Sequence, residues 1–244
     1  EAGVDTSQVV FSDDMITPLA SVLVNRLTGS RTIITRKMQT PPSLTYDQKL
    51  KLDDLAERLI AAEEPVTILI DGHEPEISEY LIKKLPNARV VMDGGSLRAS
   101  NIKLAAWTDY FVVSEHFARD YMSYRSLSTE AEIKAALIEL NKICRGEAFI
   151  TLGEKGCAFL KSGMLQIVPS WLCNAVDTTG AGDVFHGAFT YGVHYSWHID
   201  NIILFASLTA AISIEKKGVR ESMPDLAVVH HSLNNYERNL KQYF

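Results

Sequence analysis

Two aspartates bracket a glycine-rich turn in residues 177 to 183, which read Asp-Thr-Thr-Gly-Ala-Gly-Asp. An apolar stretch begins at Val184, so the turn is predicted to open a helix. The first N–H groups of a helix have no intrahelical acceptor and lie at the positive end of its dipole, where they can bind an anion. Asp183 would place a carboxylate, which can accept a hydroxyl proton, beside that anion. The pattern favours phosphoryl transfer to a hydroxyl, with Asp183 as base and the transferring oxygens held by the N–H groups of Gly180, Ala181 and Gly182.

The same turn could be an ordinary helix N-terminus with an aspartate cap, but seven consecutive residues match a known signature. The segment is neither a Walker A loop nor a dinucleotide-binding fingerprint, because the lysine and the third glycine that those motifs need are absent. Asp-Thr-x-Gly-Ala-Gly-Asp resembles the C-terminal signature of the ribokinase-like (PfkB-type) carbohydrate kinases. In motif detail the chain is most similar to ketohexokinases and to sulfofructose-kinase-like sugar kinases. The resemblance runs from Gly3 to about Pro224 and implies a ribokinase-like three-layer α/β/α fold with a largely parallel sheet and a small β lid.

Composition narrows the function classes. The 244 residues suffice for one large α/β domain or a domain and a half. Lysine and arginine number 24 against 30 aspartates and glutamates, and this net charge of −6 argues against nucleic acid as a partner. The longest apolar run, residues 202–214, is too short to span a membrane. The three cysteines have no metal-like spacing and predict reduced thiols in a cytoplasmic protein.

The order of the predicted elements indicates an α/β domain behind a small hairpin. Two β-rich segments, 19–25 and 31–35, flank a turn at Gly29, which predicts the hairpin. Strands at 66–71, 88–93, 109–113 and 148–152 then alternate with helices at 46–63, 77–85 and 128–143, which predicts a parallel sheet with helices on both faces. Short strands at 157–161 and 165–168 and helices at 182–195, 199–216 and 226–240 follow. We expect residues 1–40 to form the lid hairpin with its flanking segment, and 41–244 the nucleotide-binding and catalytic domain.

Polar residues follow each of the four sheet strands at the end where such sheets bind ligands. They are Asp71-Gly72-His73, Asp93-Gly94-Gly95-Ser96, Ser114-Glu115 and residues 151–156. Together with the Gly-Ala-Gly turn, these strand ends predict one continuous rim.

The resemblance implies where the nucleotide binds. Read alone, residues 151–156 favour an ordinary β-turn in which glycine supplies the positive φ. Arg31, read alone, is equally a charge at the end of a hairpin. Ser114 occupies the place of the asparagine in the family's Asn-x-x-Glu motif, whereas Phe117 replaces its glutamate, so that motif is incomplete. The implied nucleotide contacts are Arg31, Ser114, Thr151, Gly153, Glu154, Lys155, Gly156 and Ser207.

The resemblance also implies ATP as the phosphoryl donor and Mg²⁺ that arrives with ATP rather than in an all-protein cage. A monovalent cation, potassium, is implied near Asp177, Thr179, Ile214 and Lys217. Asp93-Gly94-Gly95 resembles the family's Asp-Gly-Asp without its second aspartate, so a substrate role and a plain turn both stay open. For His186 we expect a packing or hydrogen-bonding role rather than a catalytic one.

The predicted function is ATP-dependent phosphorylation of a sugar hydroxyl, and residues 184–187 favour a ketose. A nucleoside kinase of the same superfamily and a non-catalytic sugar- or nucleotide-binding relative are the alternatives. Because Glu1–Ser7 resembles a segment well inside the family's domain, we expect an N-terminal piece that contacts the sugar to precede it. The apolar residues of the lid strands predict a homodimer through the lid, with a monomer as the alternative.

Overall fold

The computed structural model describes residues 3–9, 18–24, 31–36 and 43–241. The chain divides into two compact units, Glu1–Leu55 and Ala56–Phe244. The domain boundary expected after residue 40 falls inside the first unit and stays a prediction.

The first unit contains a two-stranded antiparallel sheet. Strand β1, Ala20–Val24, pairs with β2, Arg31–Thr35, and Val22 lies opposite Ile33. Both predicted strands are therefore present, while the turn between them lies outside the described residues. Helix α1, Tyr46–Ala61, starts in this unit. It begins with a reciprocal cap, in which Gln48 N–H donates to the Thr45 hydroxyl and Thr45 N–H to the Gln48 side chain, at 3.3 and 2.8 Å.

The second unit contains a six-stranded sheet whose strands lie in sequence order. Its first four strands are parallel, as predicted, because a helical segment connects each to the next. The last two are antiparallel and form a hairpin at one edge. The strands are β3 Thr67–Ile70, β4 Arg89–Gly94, β5 Tyr110–Ser114, β6 Glu147–Thr151, β7 Cys157–Lys161 and β8 Met164–Val168.

Seven helices of this unit are described after α1. They are α2 Pro75–Lys84, α3 Ala99–Ala105, α4 Glu115–Tyr121, α5 Glu130–Ile143, α6 Ala181–His194, α7 Ile199–Ser213 and α8 Leu226–Lys241. The sequence analysis predicted five of them and missed α3 and α4, which have two turns each and show too little periodicity.

Alternate residues of the central strands enter two separate cores. Val90 and Met92 pack with α2 to α5 on one face of the sheet. Val91, between them, points to the other face and packs with α6, α7 and α8. All three side chains are fully buried, as expected for a parallel sheet covered on both sides. This confirms the predicted three-layer α/β/α arrangement.

Phe149 provides a test of the second core. Its ring is fully buried on β6, with ring centroids 5.6 Å from Phe159 and 5.3 Å from Phe189. We expect Phe149→Ala to lower the free energy of unfolding by about 3–5 kcal/mol, because it leaves a cavity among these rings. Met164→Ala, at a side chain that is 62% exposed on β8, should change it by about 0.5 kcal/mol or less. Urea denaturation measures both variants, and equal losses would contradict this account of the core.

Candidate active site

A cavity of about 410 Å³ opens at the carboxyl end of the parallel strands. Asp71 follows β3 directly, Asp93 lies near the end of β4, and Asp183 lies in the first turn of α6. The cavity is lined by Leu69, Ile70, Asp71, Ser78, Asp93, Asp183 and His186. Two of the predicted polar strand ends therefore meet the predicted catalytic carboxylate.

A left-handed glycine starts helix α6. Gly180 has a φ of +75°, and a Cβ on it would lie 2.6 Å from Val219 Cγ1, so this position requires glycine. The first helical hydrogen bond runs from Val184 N–H to the Gly180 carbonyl at 2.9 Å. Ala181 N–H makes only a long contact, 3.4 Å, to the Thr178 carbonyl. Asp183 is exposed to solvent in this first turn, where backbone N–H groups have no intrahelical acceptor.

Asp177 closes the turn from the other side. Its carboxylate accepts hydrogen bonds from Thr179 N–H at 3.0 Å and from Gly218 N–H at 3.3 Å. The Ile214 carbonyl accepts from Val176 N–H at 2.7 Å and from Asp177 N–H at 3.1 Å. Three of the residues predicted around a monovalent cation therefore come together, and the fourth, Lys217, directly precedes Gly218.

Asp93 and His186 face each other at the wall of the cavity. His186 Nδ1 lies 3.3 Å from Asp93 Oδ2 and 2.7 Å from the Gly182 carbonyl oxygen. Burial raises the pKa of the Asp93 carboxyl, His186 opposes that rise, and the negative charges of Asp183 and Asp71 add to it. The net pKa of Asp93 is above its ordinary value, chiefly because burial disfavours the charged carboxylate.

Asn101 of α3 supports the loop that carries Asp71. Its buried Nδ2 donates to the Asp71 carbonyl at 3.3 Å. Gly72 has a φ of +76°, and a Cβ there would lie 2.8 Å from Asn101 Oδ1, so the amide and the glycine fit each other closely. The Asp71 side chain accepts from His73 N–H at 2.9 Å, which stabilises the same loop.

Comparison with known proteins identifies the family. The model of the pfkB family carbohydrate kinases matches residues 1–226. This chain belongs to that family. The match extends over both predicted regions and covers the signature at 177–183.

Ribokinases are among the relatives of this pfkB-family chain. It is 29% identical over 192 residues to the ribokinase of Lactococcus lactis, across 78% of the chain and 60% of that protein. A ribokinase structure from Giardia lamblia superposes with a TM-score of 0.75 at 21% identity, over 91% of this chain and 73% of that one. The Arabidopsis thaliana ribokinase complexed with ribose and ATP superposes with a TM-score of 0.70 at 20% identity, over 89% and 69%. The structural likeness confirms the ribokinase-like fold. The chain spans about 60% of the length of the curated Lactococcus relative.

Two of the residues that the resemblance assigns to the nucleotide make local hydrogen bonds. The Ser114 hydroxyl accepts from Phe117 N–H at 3.0 Å, which caps α4, and donates to the Gly95 carbonyl at 2.8 Å. The Thr151 hydroxyl donates to the Val113 carbonyl at 3.4 Å. The bonds from Ser114 to Gly95 and from Thr151 to Val113 hold neighbouring strand ends together. Neither Ser114 nor Thr151 lines the described cavity. Their nucleotide contacts stay predictions.

The residues that line the cavity do not include the assigned residues of the second unit, Gly153 to Gly156 and Ser207. Gly153, Glu154 and Lys155 form an exposed 3₁₀ turn after β6, and Gly156 follows with a φ of +102°. Ser207 is buried within α7. Arg31 is the first residue of β2, and its side chain lies outside the described part of the structure. The nucleotide roles of these residues therefore also stay predictions.

Ser78, Leu69 and Ile70 line the cavity without having been predicted to do so. Ser78 lies one turn into α2, and its hydroxyl donates to the Glu74 carbonyl at 2.8 Å. In sequence it appears as an ordinary polar residue of an amphipathic helix, so nothing distinguishes it from its neighbours. Leu69 and Ile70 were recognised only as strand residues, because a strand's apolar pattern does not show which end faces a ligand.

Two negative findings concern the described residues alone. Within residues 3–9, 18–24, 31–36 and 43–241, no three histidine, cysteine, aspartate or glutamate side chains are grouped to hold a metal ion. No helix in those ranges is both long and apolar enough to cross a bilayer.

Gly180→Ala tests the turn that starts α6. A side chain at this position requires a left-handed backbone and displaces Val219, which together cost about 1–3 kcal/mol. We expect a lower unfolding temperature and weaker nucleotide binding, measured by calorimetry. Gly187→Ala is the control, because this exposed glycine of the same helix has open space around its Cβ position. If both variants behaved alike, the strain at Gly180 would not govern the turn.

Proposed function

We propose that this chain catalyses the ATP-dependent phosphorylation of a sugar hydroxyl, with Asp183 as the general base. The observation that carries the proposal is the position of Asp183. It lies on the wall of a cavity and in the first turn of a helix that starts at a left-handed glycine. Membership of the pfkB family supports the same reaction class.

In this reaction Asp183 and the Gly-Ala-Gly turn that precedes it have different roles. The Asp183 carboxylate accepts the proton of the sugar hydroxyl as its oxygen forms a bond to the terminal phosphorus of ATP. The bond from that phosphorus to the bridging oxygen breaks, and ADP carries the released charge. The backbone N–H groups of Gly180, Ala181 and Gly182 stabilise the transferring oxygens, aided by the positive end of the α6 dipole.

Charge at the cavity wall accounts for the need for a divalent cation. Asp71, Asp93 and Asp183 are all acidic, and they would repel an uncompensated triphosphate. Mg²⁺ commonly reaches such sites on substrate phosphates, held by few protein carboxylates. When bound, Mg²⁺ would supply the positive charge that lets the phosphates approach these aspartates.

For the nucleotide we propose contacts from the turn at 153–156, with Thr151 and Ser114 at the neighbouring strand ends. This turn follows β6, two strands away from β4 in the sheet, so both sites lie at the carboxyl end of the sheet. Gly153 has a φ of +60°, a left-handed conformation in which glycine lets the backbone approach a ligand closely, and Gly156 N–H closes the turn by donating to the Gly153 carbonyl at 3.0 Å. Ser207 and Arg31 complete the proposed set.

The sugar class is the finer part of the proposal. Residues 184–187 favour a ketose, whereas the relatives described above are ribokinases. We propose a neutral pentose or ketohexose. Release of ADP is measured with ribose, deoxyribose, fructose and adenosine as acceptors. Turnover of adenosine alone would favour the nucleoside-kinase alternative, and turnover of none of the four would contradict the proposed function.

Asp183→Asn removes the proton acceptor and keeps the shape of the side chain. We expect kcat to fall by about 10²- to 10⁴-fold while ATP still binds, because none of the proposed ATP contacts comes from the Asp183 side chain. Asp200→Asn is a matched control, since Asp200 lies in the first turn of α7 and pairs with Lys161 at 3.2 Å, away from the cavity. Near-normal turnover by Asp183→Asn would exclude Asp183 as the base.

A monovalent cation beside Asp177 is a further part of the proposal. The Asp177 carboxylate and the Ile214 carbonyl converge on the segment that ends α7, which supports a shared cation there. We expect turnover to fall severalfold when potassium is replaced by tetramethylammonium at equal ionic strength, because this ion is too large to enter. Equal rates in the two salts would rule out a functional potassium site.

A further inference from the structure

His186 is a buried polar residue in an otherwise apolar row of α6. Its neighbours Phe185 and Phe189 pack into the core between α6 and the sheet, whereas the His186 side chain is only 4% exposed. Burying an imidazole without partners costs free energy, so its contacts explain why it is tolerated there. All of the contacts described for the ring nitrogens are to hydrogen-bond acceptors.

The ring joins three elements of the fold. Nε2 lies 3.2 Å from the carbonyl oxygen of Val112, in the middle of β5. Nδ1 lies 2.7 Å from the Gly182 carbonyl in the first turn of α6 and 3.3 Å from Asp93 Oδ2 at the end of β4. One side chain therefore connects the sheet, an aspartate of the cavity wall and the residue that precedes Asp183.

The carbonyl groups of Val112 and Gly182 accept hydrogen bonds and donate none. An N–H at Nδ1 can donate to the Gly182 carbonyl or the Asp93 carboxylate. An N–H at Nε2 can donate to the Val112 carbonyl. An apolar residue of similar size would fill the space but would remove the second contact to the Gly182 carbonyl, at Nδ1, and leave Asp93 half-buried without this partner, beside Asp71 and Asp183. The contacts therefore matter for geometry at the cavity and not only for packing.

We propose that His186 is a positioning residue that fastens the first turn of α6 and Asp93 to strand β5, and thereby sets the place of Asp183. The catalytic part of this inference rests on the proposed phosphoryl transfer, whereas the fastening does not. His186 contributes through Gly182 and Asp93, and Asp183 remains the group that meets the substrate.

His186→Gln tests the proposal, because glutamine is polar and similar in length but cannot present two opposed ring nitrogens. His194→Gln is the matched control on the same helix, where the ring contacts the Thr67 hydroxyl at 3.3 Å at the far end of the sheet. We expect His186→Gln to lower kcat by about 10- to 100-fold through misplacement of Asp183. The dissociation constants of ATP and sugar should stay within about twofold, a change of roughly 0.4 kcal/mol. His194→Gln should leave kcat within about twofold on the same scale.

Hydrogen–deuterium exchange measures how firmly the first turn of α6 is held in place, and it needs no assay of activity. Amides of residues 181–186, including Val184, should exchange faster in His186→Gln than in the wild-type protein. In His194→Gln their exchange rates should equal those of the wild-type protein. If His186→Gln does not fold, Asp93→Asn replaces it, because this change removes the charge facing the ring at the cavity wall. We expect a smaller loss of kcat and faster exchange in the same segment.

Three results would overturn the proposal. They are unchanged exchange in residues 181–186, unchanged kcat in a folded variant, and a kcat loss that disappears once the variant is fully folded at lower temperature. If the wild-type protein phosphorylates no acceptor, the proposed function fails, and exchange alone then decides whether His186 fastens the turn.

Discussion

The grouping of three carboxylates at one cavity wall is the constraint on which the proposed reaction depends. Asp71, Asp93 and Asp183 share the wall of one cavity, and Asp93 is buried enough that its pKa is raised. The only histidine among the lining residues, His186, opposes that rise. Such a wall attracts cations and hydroxyl donors and repels bare phosphate. A reaction that brings phosphate to a hydroxyl at this place therefore needs positive charge from the phosphate's own counterion and from the dipole of α6.

The fold creates this crowding through strand order. Parallel strands end at the same edge of a sheet, so the residues after β3 and near the end of β4 become neighbours although about one helix separates them in sequence. Helix α6 packs on the face of the sheet that α2 to α5 do not cover, and its first turn lies at the edge where β3 and β4 end. Gly180 sets the direction in which that turn leaves the preceding loop, because only glycine tolerates both its φ and the approach of Val219.

The sequence predicted the elements well where their pattern is local. The four parallel strands, the β7–β8 hairpin and the start of α6 were predicted to within a few residues, because apolar runs and glycine turns are properties of adjacent positions. The contact between His186 and Asp93 joins a helix to the adjacent sheet across a long sequence separation, and no local pattern encodes it. Ser114 shows the reverse case: a polar residue at a strand end was assigned to the nucleotide, and it also caps α4. A hydroxyl at such a position serves a cap and a ligand equally well, so its type alone does not separate the two roles.

In the proposed reaction the two aspartates of the signature have different roles, one structural and one chemical. Asp177 is half-buried and accepts two backbone N–H groups, which ties the turn to the loop after α7. Asp183 is exposed at the cavity and sits at the positive end of α6. A carboxylate already engaged by two donors is a poor proton acceptor, since each hydrogen bond stabilises its charged form. The separation of six residues therefore lets one aspartate hold the glycine turn in place while the other stays available for a hydroxyl proton.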